Sequence, residues 1–296
     1  MSFSAGVKTE LLRAGAEQEL CCAEAQLYGT LLFGRDFSSR SMSLRTESRA
    51  LADYVCAQLH EIELASAQLR QAGRKWEVVV RPEDRLRVLE RFGHGQNEVS
   101  LHIATENFAC ENCRAAFLRG AFLACAAVTA PERQYHLEFA AGYKRLAREL
   151  CGILEEVGLP TPKLCQRNGV WLAYYKDSAQ IEDALALLGA QLAMLDLVTV
   201  KIEKDMRNNV NRIVNFEVAN VGRTSAAAAA QLLAIQRLRQ RQGLDSLPPS
   251  LREAALLREE NPEASLQELS ELSSHSMTRS GINHRLKRLI ALSEAE

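Results

Sequence analysis

The chain has 296 residues, enough for two domains or one large one, and 47% hydrophobic against 25% charged residues make it globular with a real core. A formal net charge of −1 excludes a chain-wide basic surface, so any affinity for nucleic acid has to be local. Aromatics make up only 6% while alanine and leucine are abundant, a composition that leans towards helix. No apolar run approaches the roughly 18 residues that a membrane span needs. The start "MSFSAGVKTELL" lacks the charged and apolar stretches of a secretion signal. A cytoplasmic protein with reduced cysteines, no membrane association and no small-molecule substrate is expected.

Taken in chain order, the first predicted helix is "AEAQLYGTLLFG" (23–34), followed by an alternating stretch "SMSLRTE" (41–47) and a helix "LADYVCAQLHEI" (51–62). A hairpin-like pair spans 65–82, and "PEDRLRVLERFG" (82–93) closes the segment, with Pro82 where a helix start tolerates proline. The same series then returns. It runs through helix "CRAAFLRGAFLAC" (113–125), alternating "YHLEFA" (135–140), helix "LARELCGILEEV" (146–157), a hairpin over 162–176 turned by "RNG", and a helix over 178–195. Leu51 meets Leu146, Cys56 meets Cys151, Leu59 meets Leu154, and Trp76 meets Trp171, all at an offset of 95 (146 − 51). That spacing exceeds any solenoid period of roughly 20–50 residues, so it marks two copies of one subdomain. The order sums to αββαββα, twice, over about 20–92 and 110–197.

Each copy opens with a helix that carries a glycine inside an apolar run. "LYGTLLFGR" lies over "LRGAFLACA" with Gly29 matching Gly120, at an offset of 91 (120 − 29), so a short insertion separates this helix from the later elements. Glycine costs roughly 1 kcal/mol against alanine inside a helix. Matched glycines on two helices point to close backbone approach across a pseudo-twofold axis, with Gly29 and Gly120 as the packing interface.

The eight cysteines include "CENC" (Cys110 to Cys113), which has zinc-ribbon spacing. A ribbon needs a second CxxC or a close histidine pair. Cys21 and Cys22 are adjacent and supply no matching knuckle, so the thiols are read as small buried apolar groups, with no metal and no cofactor expected.

After Leu197 the chain turns polar. Within "TVKIEKDMRNNVNRIVNFEVANVGRT", Arg207, Asn209 and Arg212 fit phosphate contacts, and the asparagines fit capping and turns equally well. "TSAAAAAQLLAIQRLRQRQG" reads as a helix that Thr224 starts and Gly243 ends. No acid lies between Glu217 and Asp245, so Arg223, Arg237, Arg239 and Arg241 form a basic face. It is either a solvated surface or a phosphate contact. Further helices are predicted in "LPPSLREAALLREENP", in "EASLQELSEL", where Ser265 and Glu268 make a capping box, and, after the turn "SSHSMT", in "RSGINHRLKRLIALSE". In the last, Ile282, Leu286, Leu289 and Ile290 share one face. The other face presents Arg279, Ser280, Asn283, His284, Arg285, Lys287 and Arg288, with no acid between Glu271 and Glu294. A short helix, a turn and a basic second helix is a helix-turn-helix, whose second helix enters the major groove. Among these residues, Asn283 and Arg285 are the types that read base edges, and Arg279, Lys287 and Arg288 suit phosphates.

Two glycine-bearing helices that join two αββαββα units resemble the LAGLIDADG homing endonuclease fold. The whole chain resembles the WhiA family of bacterial regulators, carried by "SFSAGVKTEL", "ELCCAEAQL", "NNVNRIVNFEVAN", "GLDSLPPSLREAALLREENPEASLQELSEL" and "RSGINHRLKRL". The resemblance implies an α+β protein: a degenerate endonuclease scaffold in 1–197, a link with a basic helix in 198–246, and an all-α helix-turn-helix module in 247–296. Ser265 joins the residues assigned to DNA binding, and Arg207, Arg212, Arg237, Arg239 and Arg241 stand as candidate phosphate contacts. Alignment on the motif glycines puts Gly34 and Cys125 where an active nuclease keeps metal-binding acids. Neither binds Mg²⁺, since one has no side-chain oxygen and the other is soft. Asp36, two residues beyond Gly34, has Ala127 as its counterpart, so no partner acid exists.

The resulting expectation is a non-enzymatic, nucleoid-associated regulator that binds double-stranded DNA and engages protein partners in transcription. What the resemblance implies for its biology is cell division, chromosome segregation and, in some lineages, sporulation. An active LAGLIDADG endonuclease, or a protein-interaction scaffold anchored on DNA by its tail, are the alternatives.

Overall fold

The structure, a computed structural model, describes residues 2–15, 18–62, 64–98, 100–273 and 277–294. The chain divides into two compact units, Met1–Lys204 and Asp205–Glu296.

The first unit begins with α1 (Phe3–Ala14), capped by the Ser2 hydroxyl and anchored by buried Val7 and Leu11. The first repeat follows as α2 (Leu20–Leu32), β1 (Asp36–Phe37), β2 (Met42–Thr46), α3 (Arg49–Glu61), β3 (Ala67–Ala72), β4 (Lys75–Val80) and, after one 3₁₀ turn from Pro82, α4 (Arg85–Arg91). The second contains α5 (Cys113–Cys125), β5 (Ala126–Val128), β6 (Leu137–Ala141), α6 (Lys144–Glu156), β7 (Lys163–Arg167), β8 (Val170–Tyr175) and α7 (Ser178–Leu188). The two sheets are antiparallel and share one order, β1-β2-β4-β3 and β5-β6-β8-β7. This is the α+β architecture, αββαββα twice, that the repeat predicts.

The register repeats residue for residue. Leu44 faces Val78, and Phe139 faces Ala173, each 95 positions later. Asp36 faces Ser43 and Ala127 faces Glu138, so the first member of each pair shifts by 91 and the second by 95. The four-residue insertion therefore lies between β5 and β6, where 129–136 replaces 38–41. Even the cation–π contacts recur: Arg49 sits 4.3 Å over Trp76, and Lys144, 95 positions on, sits 4.8 Å over Trp171.

At the centre, α2 and α5 pack backbone to backbone. A Cβ built on Gly29 would lie 2.2 Å from the Phe117 carbonyl oxygen, and one on Gly120 would lie 2.0 Å from that of Gln26. No L-residue tolerates that distance without the helices separating. The Thr30 hydroxyl bonds the carbonyl of Gln26 at 2.9 Å and lies 3.3 Å from that of Gly120 across the crossing. Tyr28, Phe117 and Phe122 are fully buried beside it. Arg119, which sequence reasoning passed over, donates to the Leu188 carbonyl at 2.7 Å and so satisfies an orphan acceptor at the end of α7.

Two predicted boundaries differ. The helix expected over 178–195 ends at Leu188, because Gly189 turns left-handed at φ 94° and a new helix, α8 (Gln191–Gln242), begins. The Glu10 carboxylate caps that start, accepting from the amides of Leu192 and Ala193 at 2.6 and 3.1 Å. The second difference concerns α8 itself. Its 52 residues run through both the stretch expected as a link and the helix expected to start at Thr224. The stretch holds no proline, and each asparagine costs a helix no more than about 0.7 kcal/mol. Thr224 is thus interior to the helix.

The second unit comprises the remainder of α8, α9 (Pro249–Glu260), α10 (Leu266–Leu272) and α11 (Arg279–Glu294). Ile235 and Leu238 of α8 share a core with Leu251, Leu269, Ile282, Leu286 and Leu289. The C-terminal module therefore needs the end of α8 and does not begin at 247. Arg258, unremarked in the sequence, is 1% exposed and donates to the Ala264 carbonyl at 2.6 Å, pinning the loop between α9 and α10.

Gly120→Ala already forces α2 and α5 apart, so calorimetry of the full chain should show its melting step lowered, with a loss of about 1–3 kcal/mol or more. Gly120→Leu should be worse. Unchanged melting in both variants would refute the backbone contact.

Candidate nucleic-acid interface

Helix α10 starts with the capping box that the sequence predicts. The Ser265 hydroxyl accepts from the Glu268 amide at 3.2 Å, and the Glu268 carboxylate accepts from the Ser265 amide at 2.7 Å. The Ser265 amide first, and its hydroxyl beside it, hold the Glu268 carboxyl below its usual range. Of the turn "SSHSMT", Ser274, His275 and Ser276 lie outside the described residues. Met277 is buried, and the Ser270 hydroxyl donates to its carbonyl. Thr278 starts α11: its Oγ1 accepts from the Gly281 amide at 3.2 Å and its carbonyl from the Ile282 amide at 3.0 Å.

In α11, Ile282, Leu286 and Leu289 are wholly buried, whereas Ile290, expected with them, is only half-buried at the margin. At 3.6 residues per turn, Ser280, His284, Lys287 and Arg288 fall opposite that stripe, and all four are exposed. Asn283 and Arg285 are both half-buried and take opposite flanks, roughly 160° apart around the helix. The two residues therefore do not share a face, and the base-reading pair expected from residue type is split between the flanks of the helix. The Arg285 Nη1 is enclosed without a hydrogen-bond partner, whereas Asn283 looks into an open cleft. That cleft lies among α8, α10 and α11 and is lined by Arg223, Thr224, Gln231, Ser265, Gln267, Arg279 and Asn283 among others, none of them acidic.

The other basic candidates separate. Arg239 pairs with Glu259 of α9. Arg207, Arg212 and Arg237 are exposed on α8, as is Arg241. Arg223, a member of the basic face expected on this helix, joins Arg279 in the cleft.

In the first unit, Gly34 and Cys125 sit at the ends of α2 and α5. Burial pushes the Cys125 thiol up to about 12. Lys8 donates to the Leu123 carbonyl at 3.0 Å, and burial holds its ammonium below the usual lysine value. The cleft beside Gly34 is lined by Arg35, Asp36, Ser38, Tyr143 and otherwise mostly apolar residues such as Phe33, Phe37 and Leu101, with Asp36 its single carboxylate. Asp36 accepts from the hydroxyls of Ser43 and Ser41 at 3.0 and 3.3 Å. A hard divalent ion takes several oxygen ligands, and one carboxylate already bonded to two serines does not supply them.

A second group, missed in the sequence because its members are spread over 28–102, is a buried chain of hydrogen bonds. Tyr28 OH meets His94 Nε2 at 2.8 Å, and Glu98 bonds His94 Nδ1 at 2.7 Å and His102 Nδ1 at 2.5 Å. Burial holds the His94 imidazole below its usual value, against the pull of Glu98. The two imidazoles keep the Glu98 carboxyl low despite its own burial. A third group is formed by thiols. Cys110 Sγ lies 3.7, 3.5 and 3.4 Å from the sulfurs of Cys21, Cys22 and Cys113. The sequence reading set Cys21 and Cys22 aside for want of knuckle spacing. The fold brings them to the CxxC regardless.

Comparison with known proteins gives one consistent family. The model of the WhiA LAGLIDADG-like domain matches residues 114–207, and that of the WhiA C-terminal HTH domain matches 210–293. A probable cell division protein WhiA from Desulforudis audaxviator is 36% identical over 99% of this chain and 97% of its own length. One of the same description from Heliobacterium modesticaldum is 36% identical over 100% of this chain and 97% of its own. The crystal structure of full-length WhiA from Thermotoga maritima shares the fold, with a TM-score of 0.60 at 23% identity, covering 99% of this chain and 98% of that one.

Purified protein with Mg²⁺ or Mn²⁺ should leave duplex DNA intact on a gel; cleavage that vanishes in Asp36→Ala would restore the nuclease reading. A second expectation concerns pH. The unfolded chain takes up a proton on His94 near the ordinary value of 6.5, which the buried ring resists, so melting temperature should fall as pH drops from about 7 to about 5. His94→Gln should flatten that slope, and an unchanged slope would remove His94 as its source. Glu98 adds to the loss at still lower pH, as its carboxylate is protonated.

Proposed function

Because this chain belongs to the WhiA family, we propose that it is a non-enzymatic, DNA-binding regulator of cell division, acting in transcription and chromosome segregation and, in sporulating lineages, in sporulation. Double-stranded DNA is its main partner, and the nucleoid its place of work. The observation that carries the reading is α11: a wholly apolar stripe buries one face and fixes the helix, while the opposite face presents Ser280, His284, Lys287 and Arg288 with no acid before Glu294. A helix held this way after a short capped helix is the reading head of a helix-turn-helix. Lys287, Arg288 and Arg279 bond phosphates and set affinity. Ser280, Asn283 and His284, in the first turns, reach base edges. Arg223 extends the positive surface from α8.

Lys287→Ala in the full chain should weaken binding to specific and random duplexes alike, and flatten the slope of log K against log salt by about one unit. Asn283→Ala should cost about 1–3 kcal/mol on the preferred site alone and leave the slope intact. Genome-wide crosslinking supplies that site. Binding by both variants indistinguishable from the parent would move the reading head away from α11.

A further inference from the structure

Four cysteines from two distant segments converge at one end of the α2–α5 pair. Cys22 lies in the first turn of α2 and Cys113 opens α5, at equivalent places in the two repeats (22 + 91 = 113). Cys21 precedes the first, and Cys110 stands one turn ahead of the second. All four sulfurs lie within 4.8 Å of one another, although 88 residues separate Cys22 from Cys110.

The spacing identifies the chemistry. Sulfurs at the corners of a tetrahedron with metal–sulfur bonds of about 2.3 Å are about 3.8 Å apart. The observed separations from Cys110 are 3.4 to 3.7 Å. A disulfide would draw two sulfurs to about 2.05 Å, and all eight cysteines are free. A polynuclear iron–sulfur cluster spreads its cysteines over several irons and holds the sulfurs wider.

The surroundings fit the same group. Neither N-cap residue, Glu19 of α2 or Asn112 of α5, caps its helix with a side-chain bond, so both helix starts present amides and positive dipole ends, although the Glu19 carboxylate also lies 3.8 Å from Cys21 Sγ. A tetrathiolate centre of net charge −2 is stabilised there. The Cys110 amide bonds Cys113 Sγ at 3.4 Å, the kind of outer contact that orients a thiolate ligand. Cys22 and Cys113 are buried, and Cys21 and Cys110 partly so, which leaves no open coordination position for substrate.

We propose that Cys21, Cys22, Cys110 and Cys113 form a structural site for one Zn²⁺ that staples the two repeats together at the start of their central helices. Binding forms four Zn–S bonds, the thiol protons leave to solvent, and no redox change occurs. The His94–Glu98–His102 group is a different case: both ring nitrogens of His94, Nδ1 of His102 and both carboxylate oxygens of Glu98 are already bonded to one another and to Tyr28.

Full-length chain prepared without chelator should carry one zinc by elemental analysis. Cys165→Ser, at an exposed and remote thiol, should keep it, and Cys22→Ser or Cys113→Ser should lose it. Cobalt added to reduced, metal-free parent protein should give the intense visible bands and thiolate charge transfer of a tetrahedral sulfur site, saturating at one equivalent. That measurement needs no variant and holds even if the serine variants fail to fold. Stoichiometric iron in place of zinc would overturn the assignment. So would reduced protein that binds neither cobalt nor zinc, or a cobalt spectrum that Cys113→Ser leaves unchanged.

Discussion

Everything in the first unit depends on the approach of α2 to α5. Two carbonyl oxygens, those of Phe117 and Gln26, stand where a Cβ of the opposite helix would have to be. That single steric fact demands glycine twice, sets the crossing, and places the two sheets as copies related by a pseudo-twofold axis. It also carries the ends of both helices to shared points. At one end lie Gly34 and Cys125, and at the other the four thiols. The one contact thus serves packing along its length and, in our proposal, sets a metal staple at one end.

The second unit works on a different principle. A chain of net charge −1 concentrates its positive groups by periodicity. Buried residues at 282, 286 and 289 leave the opposite face of α11 to Ser280, His284, Lys287 and Arg288, while acids are kept out of the segment altogether. The capping box at Ser265 and the buried Arg258 fix the loop before α10, and the Thr278 hydroxyl caps the start of α11.

Much of this was legible in the residues. The offset of 95 located two copies, and its change to 91 announced an insertion that the structure places between β5 and β6. Periodicity and caps defined α3, α5, α6 and α11 to within two residues. What escaped has physical causes. Continuity of α8 depends on the absence of a strong breaker, and polarity is a poor substitute for one. The opposite flanks of Asn283 and Arg285 follow from helix geometry that a list of residue types ignores. The thiol cluster escaped because ligand spacing was sought along the chain, whereas these ligands are adjacent only across the α2–α5 crossing. Arg119 and Arg258 were invisible for a related reason: their partners are backbone carbonyls, which every residue has.

The offset of 91 positions from Gly29 to Gly120 also bears on how the chain is made. During synthesis, α2 leaves the ribosome long before α5 exists. At about 5–20 residues per second the wait is roughly 5–20 seconds. Through that interval Leu27, Tyr28 and Leu31 lack much of their final cover, because α2 is the central layer and not an outer one. The first repeat can form its own sheet and α3, but its most apolar helix stays open until the second repeat arrives. Nascent chains stalled after the first repeat should therefore be the form on which chaperones act, and a pause in translation near residue 100 would lengthen the most aggregation-prone moment in the life of this protein.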